Sequence, residues 1–210
     1  MKVLVLCNDR WHPARVPREG LEALHDRGFT FDWLEDAHEW SADRMAEYPL
    51  TVLTKSNHVS FTDHRQWMTA EVQAAFAEYV REGHGLLAIH SGTASYQEST
   101  GLRSLLGGVF THHPEQCMVT MDLQANHPFT SDIPSFTIKD EHYFMAMYDS
   151  QVDVFMTTRS EHGEQSAGWR KTEGNGRVVV LTPGHNLEVW LHSSYQALIL
   201  TAMRWCGGLI

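Results

Sequence analysis

Gly85-Leu86-Leu87-Ala88-Ile89-His90-Ser91-Gly92 is an apolar run that ends on a histidine and a small, turn-forming pair. A short apolar run bounded by turn formers suits a strand buried on both faces, as in parallel sheets covered by helices. A chain that turns sharply at the end of such a strand lifts one side chain clear at the top of the sheet. It also aims backbone amides at whatever binds beside it. A Gly-x-Ser-x-Gly pattern centred on Ser91 fails because Gly92 follows at once, so the side chain raised at this elbow is the imidazole of His90.

The same grammar extends in both directions. Upstream, residues 2–7 read as a buried first strand, broken by Asn8-Asp9, Pro13 and Pro17. A helix is predicted over 18–26 with Gly28 closing it, then strands over 31–34 and 50–54, then a polar loop over 55–64. Thr69 caps a helix that runs to Glu82, with Val72, Phe76, Tyr79 and Val80 on one face. Downstream, a helix is predicted over 100–106 and short strands over 119–123, 136–138 and 154–158, the last group as antiparallel edge strands. Gly174-Asn175-Gly176 signals a hairpin turn into a final strand over 177–182, and 193–206 reads as a C-terminal helix. Strands alternating with helices imply a mostly parallel sheet with helices on both faces, because parallel neighbours need crossover connections.

With 210 residues, 42% apolar and 20% charged, the chain has an ordinary globular composition, and one domain over 1–210 is expected. A formal charge of −10 argues against nucleic acid or an anionic membrane surface as partner. The first apolar stretch is too short for a signal core and no later one could span a bilayer, so a cytoplasmic protein is expected. A homodimer is the expected assembly if there is one. Cys7, Cys117 and Cys206 lack Cys-x-x-Cys spacing and read as small hydrophobes. Histidine is the outlier, at 14 residues.

Ligands of open α/β sheets bind outside the carboxyl ends of the strands. His12, His58, His90 and His185 each follow a predicted strand and are expected to meet at that edge. Each histidine alone is more simply a hydrogen-bonded or solvated imidazole; their joint placement is the informative signal. His90 and His185, with Glu141, are candidate catalytic groups, and His90, His113 and His185 candidate metal ligands. His12, Ser91, Gly92, Tyr96 and Trp169 are candidate substrate contacts, with Trp11 and Trp169 as loop aromatics on which a flat ligand face could stack. Tyr96 and Tyr143 read equally well as packing, and Asp140-Glu141 equally well as a turn cap.

Several short motifs recur together in one order: residues 85–91, Leu106-Gly107-Gly108-Val109-Phe110-Thr111-His112-His113-Pro114, Asn126-His127-Pro128-Phe129-Thr130, Ile138-Lys139-Asp140-Glu141-His142-Tyr143, Gly174-Asn175-Gly176-Arg177-Val178 and Gly184-His185. In this the chain resembles the ThuA-like (trehalose utilisation) family, grouped by fold with the class I glutamine amidotransferases. The resemblance covers nearly the whole chain. It implies a flavodoxin-like three-layer sandwich with extra edge strands, and a role in the metabolism of trehalose, related disaccharides or their 3-keto derivatives. The elbow cysteine of the amidotransferases is absent, His90 standing in its place, so glutamine hydrolysis through a thioester is not expected. The family's Pro-Val-x-Trp segment appears only as Ala167-Gly168-Trp169.

Three readings follow for the small-molecule sugar that the resemblance implies. In the first, imidazoles and Glu141 hold a divalent ion, zinc foremost, and the protein is a hydrolase, lyase or isomerase acting on the sugar. In the second, the same groups exchange protons without a metal. In the third, the crevice of an enzyme fold survives as a non-catalytic sugar-binding or regulatory module.

Overall fold

The computed structural model describes residues 1–210. Its first half follows the predicted alternation: β1 (Lys2–Leu6), α1 (Arg15–Glu22), β2 (Thr30–Leu34), α2 (Ala42–Ala46), β3 (Leu50–Leu53), α3 (Ala70–Arg81), β4 (Gly85–Ile89) and α4 (Thr100–Leu106). Strands β5 (Gly108–His112), β6 (Cys117–Leu123), β7 (Phe136–Asp140), β8 (Phe144–Met147), β9 (Asp153–Ser160), β10 (Gly163–Glu173) and β11 (Gly176–Leu181) follow, before α5 (Leu187–Leu191) and α6 (Ser193–Cys206). Nine strands form one sheet in the order β2-β1-β3-β4-β11-β10-β9-β6-β7, while β5 and β8 pair separately.

The parallel block β2-β1-β3-β4-β11 has the strand order of a flavodoxin-like sheet, with which the fold is consistent. From β11 outward, every ladder to β10, β9, β6 and β7 is antiparallel. The sheet is therefore evenly mixed rather than mostly parallel. The parallel block and the antiparallel edge strands are both as expected, and the balance shifts because β10, which does not read as a strand, adds to the antiparallel half. Its segment Ser166-Ala167-Gly168 lacks the β-branched residues that mark a strand, yet it lies between β9 and β11, where small residues let neighbouring strands close in. The predicted helix over 18–26 also shifts: α1 starts at Arg15, and residues His25–Arg27 form a separate 3-10 turn that Gly28 terminates in the left-handed region.

Period-two alternation sorts the parallel strands between two cores. Val3, Val5, Val52, Leu87, Ile89, Val179 and Leu181 pack against Leu21 of α1 and Leu198, Ile199 and Ala202 of α6. Leu4, Leu6, Leu53, Leu86, Ala88, Val178 and Val180 pack against Phe76 and Val80 of α3 and Leu102 and Leu106 of α4. Thr69 caps α3 by accepting the Val72 amide, as its sequence position predicts. Burial pushes the Cys7 thiol up to about 12 and raises that of Cys206 as well, in keeping with their reading as small core residues.

Candidate active site

The turn after β4 builds the elbow expected from the sequence, but the His90 imidazole it raises is buried rather than clear of its surroundings. His90 adopts φ 48°, a left-handed conformation unusual for a side chain this large, and His90–Thr93 coil into a 3-10 turn. Such strain persists only where the surroundings over-determine it. Here the His90 Nδ1 bonds the carbonyl of Thr182 at 2.9 Å, tying the ends of the adjacent strands β4 and β11 together. A carbonyl can only accept, so Nδ1 carries the proton and Nε2 is left as a lone pair.

Four side chains from four strand ends meet there. His12 follows β1, His90 follows β4, Glu141 follows β7 and His185 follows β11, and their ligand atoms all lie within 4.8 Å of one another. The three imidazoles meet edge to face, with centroids 5.0 Å apart for His12 and His90, 5.3 Å for His12 and His185, and 5.6 Å for His90 and His185. Glu141 sits among them, 3.4 Å from His90 Nε2 and 3.1 Å from His185 Nδ1.

Two carboxylates below this group set its geometry. Asp9 accepts the amides of Trp11, His12 and Ser56, and holds His12 Nδ1 at 2.9 Å, which leaves His12 Nε2 for the cluster. Asp140 accepts the amides of Gly184, His185 and Asn186, clamping the loop that carries His185 onto the end of β7. The Asp140-Glu141 pair thus does both things the sequence allowed: Asp140 caps the loop and Glu141 enters the cluster.

The charge balance is unusual. Burial pushes His90 down to about 4, against the pull of Glu141, so its Nε2 faces the carboxylate as a bare lone pair. Burial would raise Glu141, but the imidazoles packed against it, His185 foremost, outweigh it and hold the carboxyl well below the usual range. Burial likewise opposes charge on His185, yet Glu141 reverses the balance and raises it. His90 Nε2 and His185 Nδ1 are buried with no well-formed hydrogen bond. Acceptors that face one another across 3–4 Å need positive charge between them, supplied by a proton or by a metal ion. Three nitrogens and a carboxylate oxygen are a suitable donor set for a divalent transition metal. Asp9 stands where a carboxylate would orient a metal-binding histidine through its other nitrogen. Asp9→Asn is expected to weaken zinc binding about 10–100-fold, measured by competition with a chromophoric chelator; an unchanged affinity would remove Asp9 from this role.

A cavity of about 550 Å³ opens over the cluster, lined by Trp11, His12, Ser56, Ala94, Ser95, Phe110, His113, Glu141, Tyr143 and His185. His113 stands at its wall with Nε2 3.5 Å from Glu141 Oε1, outside the group of four, while His12, expected to touch substrate, takes a place in that group. His58 remains one hydroxyl away, with Nδ1 3.1 Å from the Ser56 Oγ.

Other expected contacts are corrected. Trp169 is sealed in the core, its Nε1 on the Leu106 carbonyl at 2.7 Å, because β10 carries it inward rather than into a loop. Tyr96 is also sealed, its hydroxyl on the Lys55 carbonyl at 2.7 Å. Ser91 and Gly92 are buried in the elbow and do not line the cavity; the next turn presents Ala94 and Ser95 instead. Asp9 and Ser56, plain loop residues by sequence, belong to the site: Asp9 holds His12 and Ser56 lines the cavity. Trp11 keeps its expected place: it lines the cavity and is 60% exposed, with the Arg10 guanidinium 4.4 Å from the centre of its ring.

Fold and site together define an α/β protein with a histidine–glutamate cluster at the carboxyl edge of its parallel strands. The chain belongs to the ThuA family, described as trehalose utilisation, whose sequence profile matches residues 2–206. No curated protein matches it. Among solved structures, it is similar to a ThuA-like protein of Parabacteroides merdae, with a TM-score of 0.75 at 16% identity over 99% of this chain and 90% of that one. A ThuA-like protein of Bacteroides uniformis gives 0.73 at 20% identity over 98% and 91%. The β-galactosidase of Bacillus circulans gives 0.69 at 12% identity, covering 98% of this chain and 31% of its own. At these identities the likeness is one of fold. No helix is long and apolar enough to cross a membrane.

Proposed function

We propose that the chain is a divalent-metal enzyme acting on a hydroxyl or keto oxygen of a small sugar, with trehalose-type disaccharides and their keto derivatives as the substrate class. The observation that carries this reading is the convergence of His12, His90, Glu141 and His185, with His90 Nε2 and His185 Nδ1 buried and lacking well-formed hydrogen bonds, beside one cavity that His12, Glu141 and His185 line. The sugar assignment rests on the family to which the chain belongs. A cavity of about 550 Å³ is of small-molecule size.

His12, His90, Glu141 and His185 would hold the ion, zinc or a metal of similar preference. Bound there, it supplies Lewis acidity to a sugar oxygen. The chain's own groups do the rest. Asp9 and Asp140 fix His12 and the His185 loop, and Trp11 offers a flat apolar face at the mouth. His113 commits Nδ1 to the Pro114 carbonyl and turns Nε2 toward Glu141 at the cavity wall, where it can take a proton from a bound hydroxyl. The elbow holds His90 and no thiol, so thioester chemistry has no nucleophile there.

A second reading is favoured by one observation: without a metal, the proton that Glu141 raises on His185 would tie the cluster together and make that pair an acid–base couple. Elemental analysis of protein purified without chelator, followed by assays on trehalose and its keto form, separates the readings. The expected result is near-stoichiometric divalent metal, with turnover lost on chelation and restored by the ion. Turnover that survives chelation would select acid–base chemistry, and tight sugar binding with no turnover would select a binding module. Absence of metal even after reconstitution would refute the metal site.

A further inference from the structure

Buried tyrosines usually spend their hydroxyl on a partner, and this chain keeps the rule with one exception. Tyr48 donates to Asp32, Tyr79 to the Tyr48 carbonyl, Tyr96 to the Lys55 carbonyl and Tyr195 to the Pro183 carbonyl, each within 2.8 Å. Tyr143, only 3% exposed, has no hydrogen-bond partner in the protein, and its hydroxyl is not among the fully enclosed unpartnered polar atoms. Its exposed fraction lies against the cavity it lines.

The ring itself is fixed. It stacks on His90 with centroids 4.1 Å apart and an interplanar angle of 26°, and packs against Phe110, whose ring centre also lies 4.1 Å away. Two residues before it in the chain, Glu141 enters the cluster, so the phenol and the carboxylate are delivered to the same cavity by the segment that follows β7. A rigidly held donor beside four convergent ligands is a preorganised contact awaiting an acceptor.

We infer that the Tyr143 hydroxyl is the hydrogen-bond donor to the substrate oxygen that sits over the His12–His90–Glu141–His185 cluster. This rests on the proposed metal site and adds to it the group that orients the bound oxygen. It also explains why the aromatic wall ends in a tyrosine: phenylalanine would give the same stacking and leave the substrate oxygen without a donor.

The test uses Tyr143→Phe, which keeps the ring, with acetohydroxamate as an oxygen-donor probe on zinc-loaded protein. Zinc affinity is measured first, and is expected to be equal in wild type and variant. Acetohydroxamate is then expected to bind the variant about tenfold more weakly, the loss of one hydrogen bond. In protein labelled with 13C at tyrosine Cζ, the resonance missing from Tyr143→Phe should shift when the probe is added. Equal probe affinities together with an unmoved resonance would overturn the assignment. Should neither protein bind zinc, the metal reading fails by itself. The same resonance followed with trehalose on metal-free protein then decides the tyrosine, a shift supporting its role and no shift refuting it.

Discussion

His90→Ala is expected to lower zinc affinity by on the order of 10²–10³-fold, while His113→Ala costs tenfold or less. A four-ligand zinc site in a small fold is worth about 10–16 kcal/mol, so one ligand in four carries about 2.5–4 kcal/mol. His90 would supply a lone pair whose direction is set by its bond to Thr182 and by the stacked Tyr143, so it is the most firmly aimed of the three imidazoles. His113 lies outside the group of four and is a third exposed, so its loss should mostly touch substrate. Removing His90 also leaves the Thr182 carbonyl without its side-chain donor, which makes thermal unfolding a needed control. His185→Ala, at a half-buried loop position, should reproduce the metal defect with less disturbance of the fold. Equal losses from His90→Ala and His113→Ala would instead restore the ligand set expected from the sequence.

That contrast marks how far the sequence could be read. The parallel strands were legible because each is an apolar run with turn formers at its end, and the position of a residue just past such a run is enough to place it at the ligand edge. His12, His90 and His185 were found this way. His113 reads as a ligand and His12 as a substrate contact, and the structure reverses the two, because His12 is held in the cluster by Asp9, which is itself fixed by an amide of a loop 47 residues away. Asp140 and Glu141 were seen as a pair, but nothing local says that alternate side chains at the end of β7 divide into a loop clamp and a cluster member. Trp169 was misplaced for a different reason. β10 reads as a loop by propensity and is held as a strand by ladders on both sides, so its tryptophan turns inward.

Gly92→Ala should be the most destabilising small substitution near the site. A Cβ at Gly92 would lie 2.0 Å from the Leu53 carbonyl oxygen and 2.8 Å from its carbon, which are backbone atoms that cannot rotate away. Leu53 ends β3, the neighbour of β4, so relief requires either the elbow to lift or the strand end to open. Overpacking of this kind costs about 1–3 kcal/mol and more where backbone must move; for a chain of this length, about 3 kcal/mol corresponds to roughly 6–12 °C in Tm. Lifting the elbow would also displace His90, so metal affinity should fall along with stability. Gly101→Ala is the matched control: its Cβ would meet only the Gln73 side chain, at 3.1 Å or more, and alanine suits the helix better. A Gly92→Ala protein with wild-type Tm and wild-type zinc affinity would mean that the turn tolerates a side chain. The close approach of β3 to the elbow would then have no part in aiming His90. With both properties lowered, the glycine that looked in the sequence like a substrate-binding amide is instead the reason the histidine can stand where it does.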